Sequence, residues 1–169
     1  MDKNQTYQLL VKQVESLIEG ENNTTGQLAN AAALIHETME FWWTGFYLVK
    51  DGELQLGPFQ GPVACYRIKE GKGVCGTAWH ENRTIVVPDV EQFPGHIACS
   101  SASRSEIVVP LRDNEGTVTG VLDIDSKELA TFDDTDARWL EEIARVIAHH
   151  TFNNTAHPVN PVNPVNPEL

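Results

Sequence analysis

The order of hydrophobic periodicities along the chain limits the fold more than any other feature of the sequence. Apolar residues recur at helical spacing over residues 7–18 and 25–39. Strand-like patterns follow from residue 41 to residue 124, interrupted by one short helical stretch. A closing helix starts at Asp133, a favourable N-cap residue. Helices on both sides of a run of strands predict an α+β domain.

Turn residues indicate how the strands are connected. Asp51-Gly52 is typical of a tight hairpin, and Asn114-Glu115-Gly116 joins the last two strands. Because hairpins connect antiparallel neighbours, we expect a central, largely antiparallel six-stranded sheet flanked by N- and C-terminal helices. The predicted strands cover residues 41–49, 54–59, 63–68, 84–87, 107–111 and 118–124, and the predicted short helix covers residues 74–80.

The length of the chain is that of one domain. Its 169 residues can bury a hydrophobic core without disulfide cross-links. We predict a single catalytic domain over residues 1–150. Residues 151–169 contain a Pro-Val-Asn repeat, and proline at that density blocks both helices and strand ladders, so we predict a disordered tail there.

Charge and hydropathy exclude several classes of partner. The formal net charge is −12, which argues against nucleic acid and against anionic membrane surfaces. No apolar run approaches the roughly 18 residues that a membrane span requires. The polar N-terminus lacks the apolar core of a signal peptide. We therefore predict a cytoplasmic protein, whose cysteines are normally kept reduced.

The chain has three cysteines, Cys65, Cys75 and Cys99, an odd number that cannot form a fully paired structural framework. No Cys-x-x-Cys pair is present, so the sequence lacks a thioredoxin-type redox motif and the usual spacing of a structural zinc site. We predict no metal, although a scattered zinc site remains an alternative. Its ligands would come from Cys65, Cys75, His80, His96 and Cys99.

Sequence context distinguishes the three cysteines. Cys99 follows a Pro-Gly bend and lies among small residues, in a loop of the kind that carries function more often than packing. Cys75, framed by glycines, is typical of a buried small hydrophobe, with a catalytic role as the alternative. Cys65 lies in a predicted strand, where a core role is the simplest interpretation.

Three acidic residues fall on two strands that we expect to pair. Asp123 and Asp125 are two residues apart, so strand alternation places both carboxylates on one face of the sheet. Glu106 opens the preceding strand. The alternative to a shared pocket is a solvated sheet face. In a shared pocket, crowding would raise the pKa of some of these acids, leaving one protonated to donate a proton and another charged to hold a cation.

The sequence resembles the free methionine-(R)-sulfoxide reductases, which are built on a GAF-type fold. The resemblance covers residues 7–149 and includes all three cysteines with their spacing. Ser100 and Arg104 depart from the family pattern, which has an acid and an asparagine there. The matching motifs are Trp43-Thr44-Gly45-Phe46-Tyr47, Gly57-Pro58-Phe59-Gln60-Gly61-Pro62, Ala64-Cys65-x-Arg67-Ile68, Gly71-x-Gly73-Val74-Cys75-Gly76, His96-Ile97-Ala98-Cys99, Ser105-Glu106-Ile107-Val108-Val109-Pro110-Leu111 and Gly120-Val121-Leu122-Asp123-Ile124-Asp125-Ser126.

This resemblance implies an oxidoreductase that acts on free methionine sulfoxide. Cys99 would attack the sulfoxide sulfur and become a sulfenic acid. Cys65 would then condense with it to form a disulfide, which thioredoxin would reduce. Cys75 would be a spare catalytic thiol, able to exchange with either partner. No cofactor other than this external reductant is implied.

The resemblance also implies a binding site for a free amino acid. The carboxylates of Glu106, Asp123 and Asp125 would hold the substrate ammonium and supply a proton, and backbone N–H groups at Ile97 and Ala98 would hold its carboxylate. Trp43 and Tyr47 would face the S-methyl group, or would simply fill the hairpin core. His96 could assist proton transfer, but a structural role in the turn is the favoured interpretation.

Two alternatives to the enzyme are a GAF-type sensor module for a cyclic nucleotide or another small ligand, and a thiol or metal redox sensor. Sensor modules of this type are usually fused to effector domains, and this sequence contains none. A homodimer formed through the flanking helices is a further expectation, because GAF-like domains often dimerise in this way.

Overall fold

The computed structural model describes residues 1–153, which form four α-helices and six β-strands. None of the helices in this part of the chain is long and apolar enough to cross a membrane. A 3₁₀ turn at Val90–Gln92 precedes the long loop that leads to β5. In chain order the elements are α1 (Lys3–Ile18), α2 (Thr24–Met39), β1 (Trp43–Lys50), β2 (Glu53–Gln60), β3 (Arg67–Ile68), α3 (Gly73–Glu81), β4 (Ile85–Val87), β5 (Ser105–Arg112), β6 (Val118–Ser126) and α4 (Asp134–Phe152).

The six strands form one sheet in the order β3-β2-β1-β6-β5-β4. All neighbouring strands are antiparallel, which confirms the predicted α+β architecture. Asp51 and Gly52, both at positive φ, make the β1–β2 hairpin that the sequence indicated. The helix α4 ends at Phe152, two residues beyond the predicted domain boundary, and the Pro-Val-Asn repeat lies outside the described residues.

The prediction of a third strand over residues 63–68 is wrong over most of its length. Only Arg67–Ile68 pairs with β2, and Cys65 lies in the loop that precedes this short strand. In this loop, the backbone carbonyl groups of Pro62 and Cys65 accept hydrogen bonds from side chains of β1 and not from a neighbouring strand. The indole N–H of Trp43 donates to the carbonyl oxygen of Pro62 at 2.9 Å. The hydroxyl of Tyr47 donates to the carbonyl oxygen of Cys65, also at 2.9 Å. These bonds tie the loop before β3 to side chains of β1.

The two faces of the sheet carry different cores. One face packs on α1, α2 and α4 and buries Phe46, Leu122 and Ile124. The opposite face packs on α3 and buries a second cluster that includes Tyr47 and Cys75. Because side chains alternate along a strand, each central strand contributes to both cores. The polar groups described next all lie on the α3 side.

Candidate active site

Three carboxyl groups meet on the α3 face of the two central strands β5 and β6. Glu106 pairs directly with Asp125, and Asp123 lies one alternation further along β6, opposite Val108. Glu106 and Asp123 are each only 6% exposed, and Asp125 is half-buried. The structure thus places the three acids suggested by the sequence together on one sheet face, and largely out of water.

Burial controls the protonation of this cluster. Desolvation raises the pKa of Glu106 and of Asp123 well above that of an ordinary carboxyl, and the neighbouring negative charges add to the effect. Desolvation also raises the pKa of Asp125, to about 6, while a hydrogen bond from the Ser103 hydroxyl opposes the increase. The cluster therefore holds protons at neutral pH, with Asp125 the easiest of the three to ionise.

Cys75 projects from α3 into this cluster. Its Sγ lies 3.9 Å from Oε1 of Glu106, and the thiol is free and buried. Desolvation, followed by the charges of Asp123 and Glu106, raises the pKa of the Cys75 thiol. A buried thiol kept protonated in this way is a poor nucleophile.

The other two cysteines form a disulfide. Cys65 and Cys99 are bonded, with their Cα atoms 5.3 Å apart, as the family resemblance implied. Cys99 lines a pocket of about 550 Å³, including its open mouth, whereas Cys65 does not. The same pocket is lined by Cys75, Glu106, Asp123 and Asp125. Cys99 is therefore the disulfide sulfur that shares a cavity with the acids.

Two aromatic residues of β1 form one wall of the pocket. Trp43 and Tyr47 are buried, line the cavity and stack with their ring centroids 6.2 Å apart. Gly45, between them on the same face, leaves room for the indole, since a Cβ at this position would lie 2.6 Å from the Trp43 ring. Phe46, which alternates to the other face, fills the helix-side core. The wall and the core are thus built by different residues of one strand.

The loop before Cys99 forms the opposite rim. His96 lines the pocket, with its Nε2 3.9 Å from Oε2 of Glu106, and partial burial lowers its pKa. The Ile97 side chain also lines the pocket and packs against Gly73, where φ is +60°. Ala98 is exposed, and the N–H of Cys99 bonds to the carbonyl of Ile97 at 3.0 Å. This tight turn brings the Cys99 sulfur to the cavity.

Some site residues are not evident from the sequence. Ser103 is 8% exposed, lines the pocket and donates a 2.5 Å hydrogen bond to Asp125. Trp42 and Val63 line the mouth. Ser103 lies two residues before β5 and carries no pattern beyond its small-residue neighbourhood, so only the strand register shows which carboxylate it reaches.

The five residues of the alternative zinc site do not assemble as one set, although Cys75, His96 and Cys99 line the same pocket. His80 is at the far end of α3, where its side chain is 67% exposed and contacts Glu70. Cys65 and Cys99 are bonded to each other. A different set, Cys75 with one carboxyl oxygen each from Glu106 and Asp123, lies within 4.8 Å and has the ligand types that a metal could use.

Comparisons with known proteins agree with this architecture. Residues 27–150 match the GAF domain family. The chain is 53% identical to GAF domain-containing protein A of Dictyostelium discoideum, covering 86% of this chain and 92% of that protein. It is 45% identical to the free methionine-R-sulfoxide reductase of Escherichia coli, covering 85% and 87% of the respective chains.

A solved structure is similar in both sequence and fold. It is the X-ray structure of free methionine-R-sulfoxide reductase from Neisseria meningitidis in complex with its substrate, which is 50% identical with a TM-score of 0.86. The match covers 89% of this chain and 91% of that one. Together with the three cysteines and the buried acids, these matches show that the chain belongs to the free methionine-R-sulfoxide reductase family of GAF domain proteins.

Proposed function

We propose that this protein reduces free L-methionine-(R)-sulfoxide to methionine through its cysteines. The observation that carries the proposal is the pocket that Cys99 shares with three carboxyl groups, of which Glu106 and Asp123 are buried and Asp125 is half-buried. A thiol and a proton donor in one cavity are the two groups that reduction of a sulfoxide by a thiol requires. The similar proteins from Escherichia coli and Neisseria meningitidis bear the name of this activity.

Recognition of a free amino acid follows from the polarity of the pocket. Asp125, with a pKa of about 6, is ionised at neutral pH and can hold the substrate ammonium. The substrate carboxylate would be held by the N–H groups of Ile97 and Ala98, which have no hydrogen-bond acceptor among residues 1–153. The S-methyl group would then rest on the Trp43 and Tyr47 rings. A residue inside a polypeptide has neither charged group, so the pocket favours the free amino acid.

The first chemical step transfers oxygen from the substrate to the enzyme. The Cys99 thiolate attacks the sulfoxide sulfur, and a carboxylic acid of the cluster donates its proton to the sulfoxide oxygen. Glu106 and Asp123, whose pKa values are raised furthest, are the acids that hold a proton to donate. The substrate sulfur gains two electrons and leaves as methionine, and Cys99 becomes a sulfenic acid.

The second step regenerates the enzyme. The Cys65 thiolate attacks the sulfenic sulfur of Cys99, the departing hydroxide takes up the proton that Cys65 gave up and leaves as water, and the Cys65–Cys99 disulfide forms. Thioredoxin then reduces this bond with two electrons, and no other cofactor takes part. Because each turnover needs this reduction, the protein works in a reducing compartment, the cytoplasm. Cys75, buried with a raised pKa, serves as a spare thiol.

A homodimer is also part of the proposal. Leu9 and Leu17 on α1 are 44% and 43% exposed, and a second copy would cover them. Light scattering coupled to size exclusion gives the mass in solution. A monomer at micromolar concentration would contradict this part of the proposal without affecting the chemistry above.

The test of the function is a coupled assay of NADPH consumption with thioredoxin, thioredoxin reductase and each epimer of free methionine sulfoxide. Turnover with the R epimer alone, and none with an N-acetylated methionine sulfoxide amide, is expected. Failure with both epimers would overturn the proposal. Native mass spectrometry of the same sample would then show whether a bound nucleotide or metal identifies a sensor.

A further inference from the structure

Two apolar side chains stand out into solvent on either side of Cys65. Val63 is 85% exposed and Tyr66 is 81% exposed. Such exposure is costly for a large apolar residue that has no partner, because its surface remains in contact with water. Both residues lie on the loop that contains one half of the disulfide.

The backbone of this loop is anchored, so the exposed side chains do not result from a loose segment. The carbonyl oxygens of Pro62, Cys65 and Tyr66 accept hydrogen bonds from Trp43, Tyr47 and the Leu56 N–H, each at 2.9 Å. The bonds come from two neighbouring strands. The backbone of Tyr66 is therefore held in place, which reduces the backbone entropy lost when a partner binds this residue.

The disulfide faces two environments. Cys99 lines the substrate pocket and Cys65 does not, although both residues are half-buried. A bulky thiol that approaches beside Tyr66 would meet the sulfur of Cys65, whereas Cys99 shares its pocket with the acids. Exchange requires the attacking thiolate to contact one sulfur while the other leaves.

The surface next to Tyr66 also carries positively charged side chains. Arg67, Lys69 and Lys72 are exposed and lie within six residues of sequence. The same run contains the exposed Glu70, and Arg67 forms a salt bridge with Glu53, so the positive charge of the run is partly offset and comes mainly from Lys69 and Lys72. The chain as a whole carries a charge of −12. A local basic cluster of this kind attracts a partner with an acidic surface, whereas the negative charge on the remainder of this protein repels such a partner.

We propose that Tyr66, with the basic residues Arg67, Lys69 and Lys72 beside it, is the docking surface for the dithiol protein that reduces the disulfide, and that this protein attacks Cys65. The inference rests on the proposed function, which requires such a reductant. The occupant is a protein with a reactive dithiol surrounded by acidic side chains.

The exchange balances in two steps. A thiolate of the partner bonds to the sulfur of Cys65, the Cys65–Cys99 bond breaks, and its electron pair leaves on Cys99, which becomes the thiolate needed for the next attack. The partner's second thiol then attacks the mixed disulfide, releases Cys65 and leaves the partner oxidised. Two electrons pass to this chain, and its two thiols take up protons according to their pKa values.

One test separates docking from chemistry. In Tyr66→Ser, the KM for thioredoxin should rise about tenfold, as for loss of a central aromatic at an interface. Turnover driven by dithiothreitol should not change, because Tyr66 lies outside the pocket. Val86→Ser is the matched control, since Val86 is 36% exposed on β4 at the opposite edge of the sheet. An unchanged KM in Tyr66→Ser would overturn the docking surface.

The basic cluster has its own test. Lys69→Glu should raise the KM for thioredoxin, and added salt should reduce the difference from the wild type. Lys50→Glu, on the β1–β2 hairpin, is the charge-matched control and should have a smaller effect. Equal effects of the two substitutions would show that net charge alone is responsible and would overturn the role of the cluster.

The point of attack is tested by trapping. Thioredoxin with its second cysteine replaced by serine is mixed with the oxidised protein, and the mixed disulfide is mapped by peptide mass spectrometry. A link to Cys65 is expected, and a link to Cys99 or Cys75 would overturn the proposed direction. Trapping starts from the disulfide and needs no sulfoxide, so its result is independent of whether the proposed substrate is correct.

Discussion

Cys65 and Cys99 are bonded to each other across 34 residues of sequence, yet only Cys99 lines the pocket that contains the buried acids. This asymmetry distinguishes the two thiols in a way that pairing alone does not. This difference fits the proposed roles, in which Cys99 reacts with the substrate and Cys65 reacts with the reducing protein.

The first prediction concerns Cys99. Cys99→Ser should lower turnover of free methionine sulfoxide by about a thousandfold or more, because a serine hydroxyl at neutral pH supplies almost no nucleophilic anion. The NADPH-coupled assay measures this loss, and circular dichroism checks the fold. Turnover within about tenfold of the wild type would assign the attack to another residue.

The second prediction separates the remaining cysteines. Cys65→Ser should convert about one equivalent of substrate and then stop, since the sulfenic acid on Cys99 has no thiol to condense with. Cys75→Ser should keep most of its thioredoxin-driven turnover, because the Cys75 thiol is buried and has a raised pKa. Quenched-flow counting of methionine per enzyme measures both. Normal cycling by Cys65→Ser would make Cys75 the resolving thiol.

Much of the fold follows from local signals in the sequence. The Asp51-Gly52 turn and the alternation of apolar residues suffice to predict the hairpins, and Asp133 marks the start of α4, where its side chain accepts bonds from two backbone N–H groups. The loop that contains Cys65 is not predictable in this way. Its apolar residues look like a strand, but Trp43 and Tyr47 capture the carbonyl groups that a ladder would use.

The candidate site likewise combines residues that local patterns predict with residues that only the folded structure brings together. Alternation places Asp123 and Asp125 on one face, and the pairing of β5 with β6 brings Glu106 beside them. The role of Ser103 depends on a hydrogen bond across 22 residues, which no local pattern encodes. Likewise, no local pattern encodes the approach of the His96 ring to 3.9 Å from Glu106.

The third prediction concerns the proton donor. Glu106→Gln should lower kcat/KM by about a hundredfold or more, the usual contribution of a general acid. In the wild type, kcat/KM should fall at alkaline pH as the acid loses its proton, and this fall should be absent in the variant. Rates measured from pH 5 to pH 10 check both. Glu115→Gln, in the exposed turn before β6, is the matched control and should leave the profile unchanged.

The fourth prediction links Asp125 to stability. Burial raises the pKa of Asp125 to about 6 from its ordinary value of 3.8, so the folded state binds the proton more tightly than the unfolded state. The stabilisation is complete below pH 3.8 and is lost as the pH rises through about 6. Asn remains neutral and keeps the acceptor for Ser103. Asp125→Asn should therefore raise the free energy of unfolding at pH 8 by about 1–3 kcal/mol and change it little at pH 4.

Urea unfolding at the two pH values measures this difference. Activity should decrease in the same variant, since the substitution removes the charge that we propose holds the substrate ammonium. A variant that is no more stable than the wild type at pH 8 would show that Asp125 is solvated in the folded protein. The negative charge on Asp125 would then not lower the free energy of unfolding.

The last prediction concerns Tyr47. Its hydroxyl donates to the carbonyl oxygen of Cys65, and burial raises the pKa of the phenol, so the group remains a neutral donor. Tyr47→Phe keeps the ring against Trp43 but frees the Cys65 backbone. Because a net hydrogen bond contributes about 0.5–1.5 kcal/mol, disulfide formation should slow by about two- to tenfold.

Single-turnover kinetics separates the two steps of the reaction. Release of methionine, which depends on Cys99, should keep its rate within about twofold in Tyr47→Phe, while loss of the sulfenic acid should slow. Equal slowing of both steps would assign Tyr47 to substrate binding alone. An unchanged second step would mean that the other bonds to the loop, at Pro62 and Tyr66, are enough to hold Cys65 within reach of Cys99.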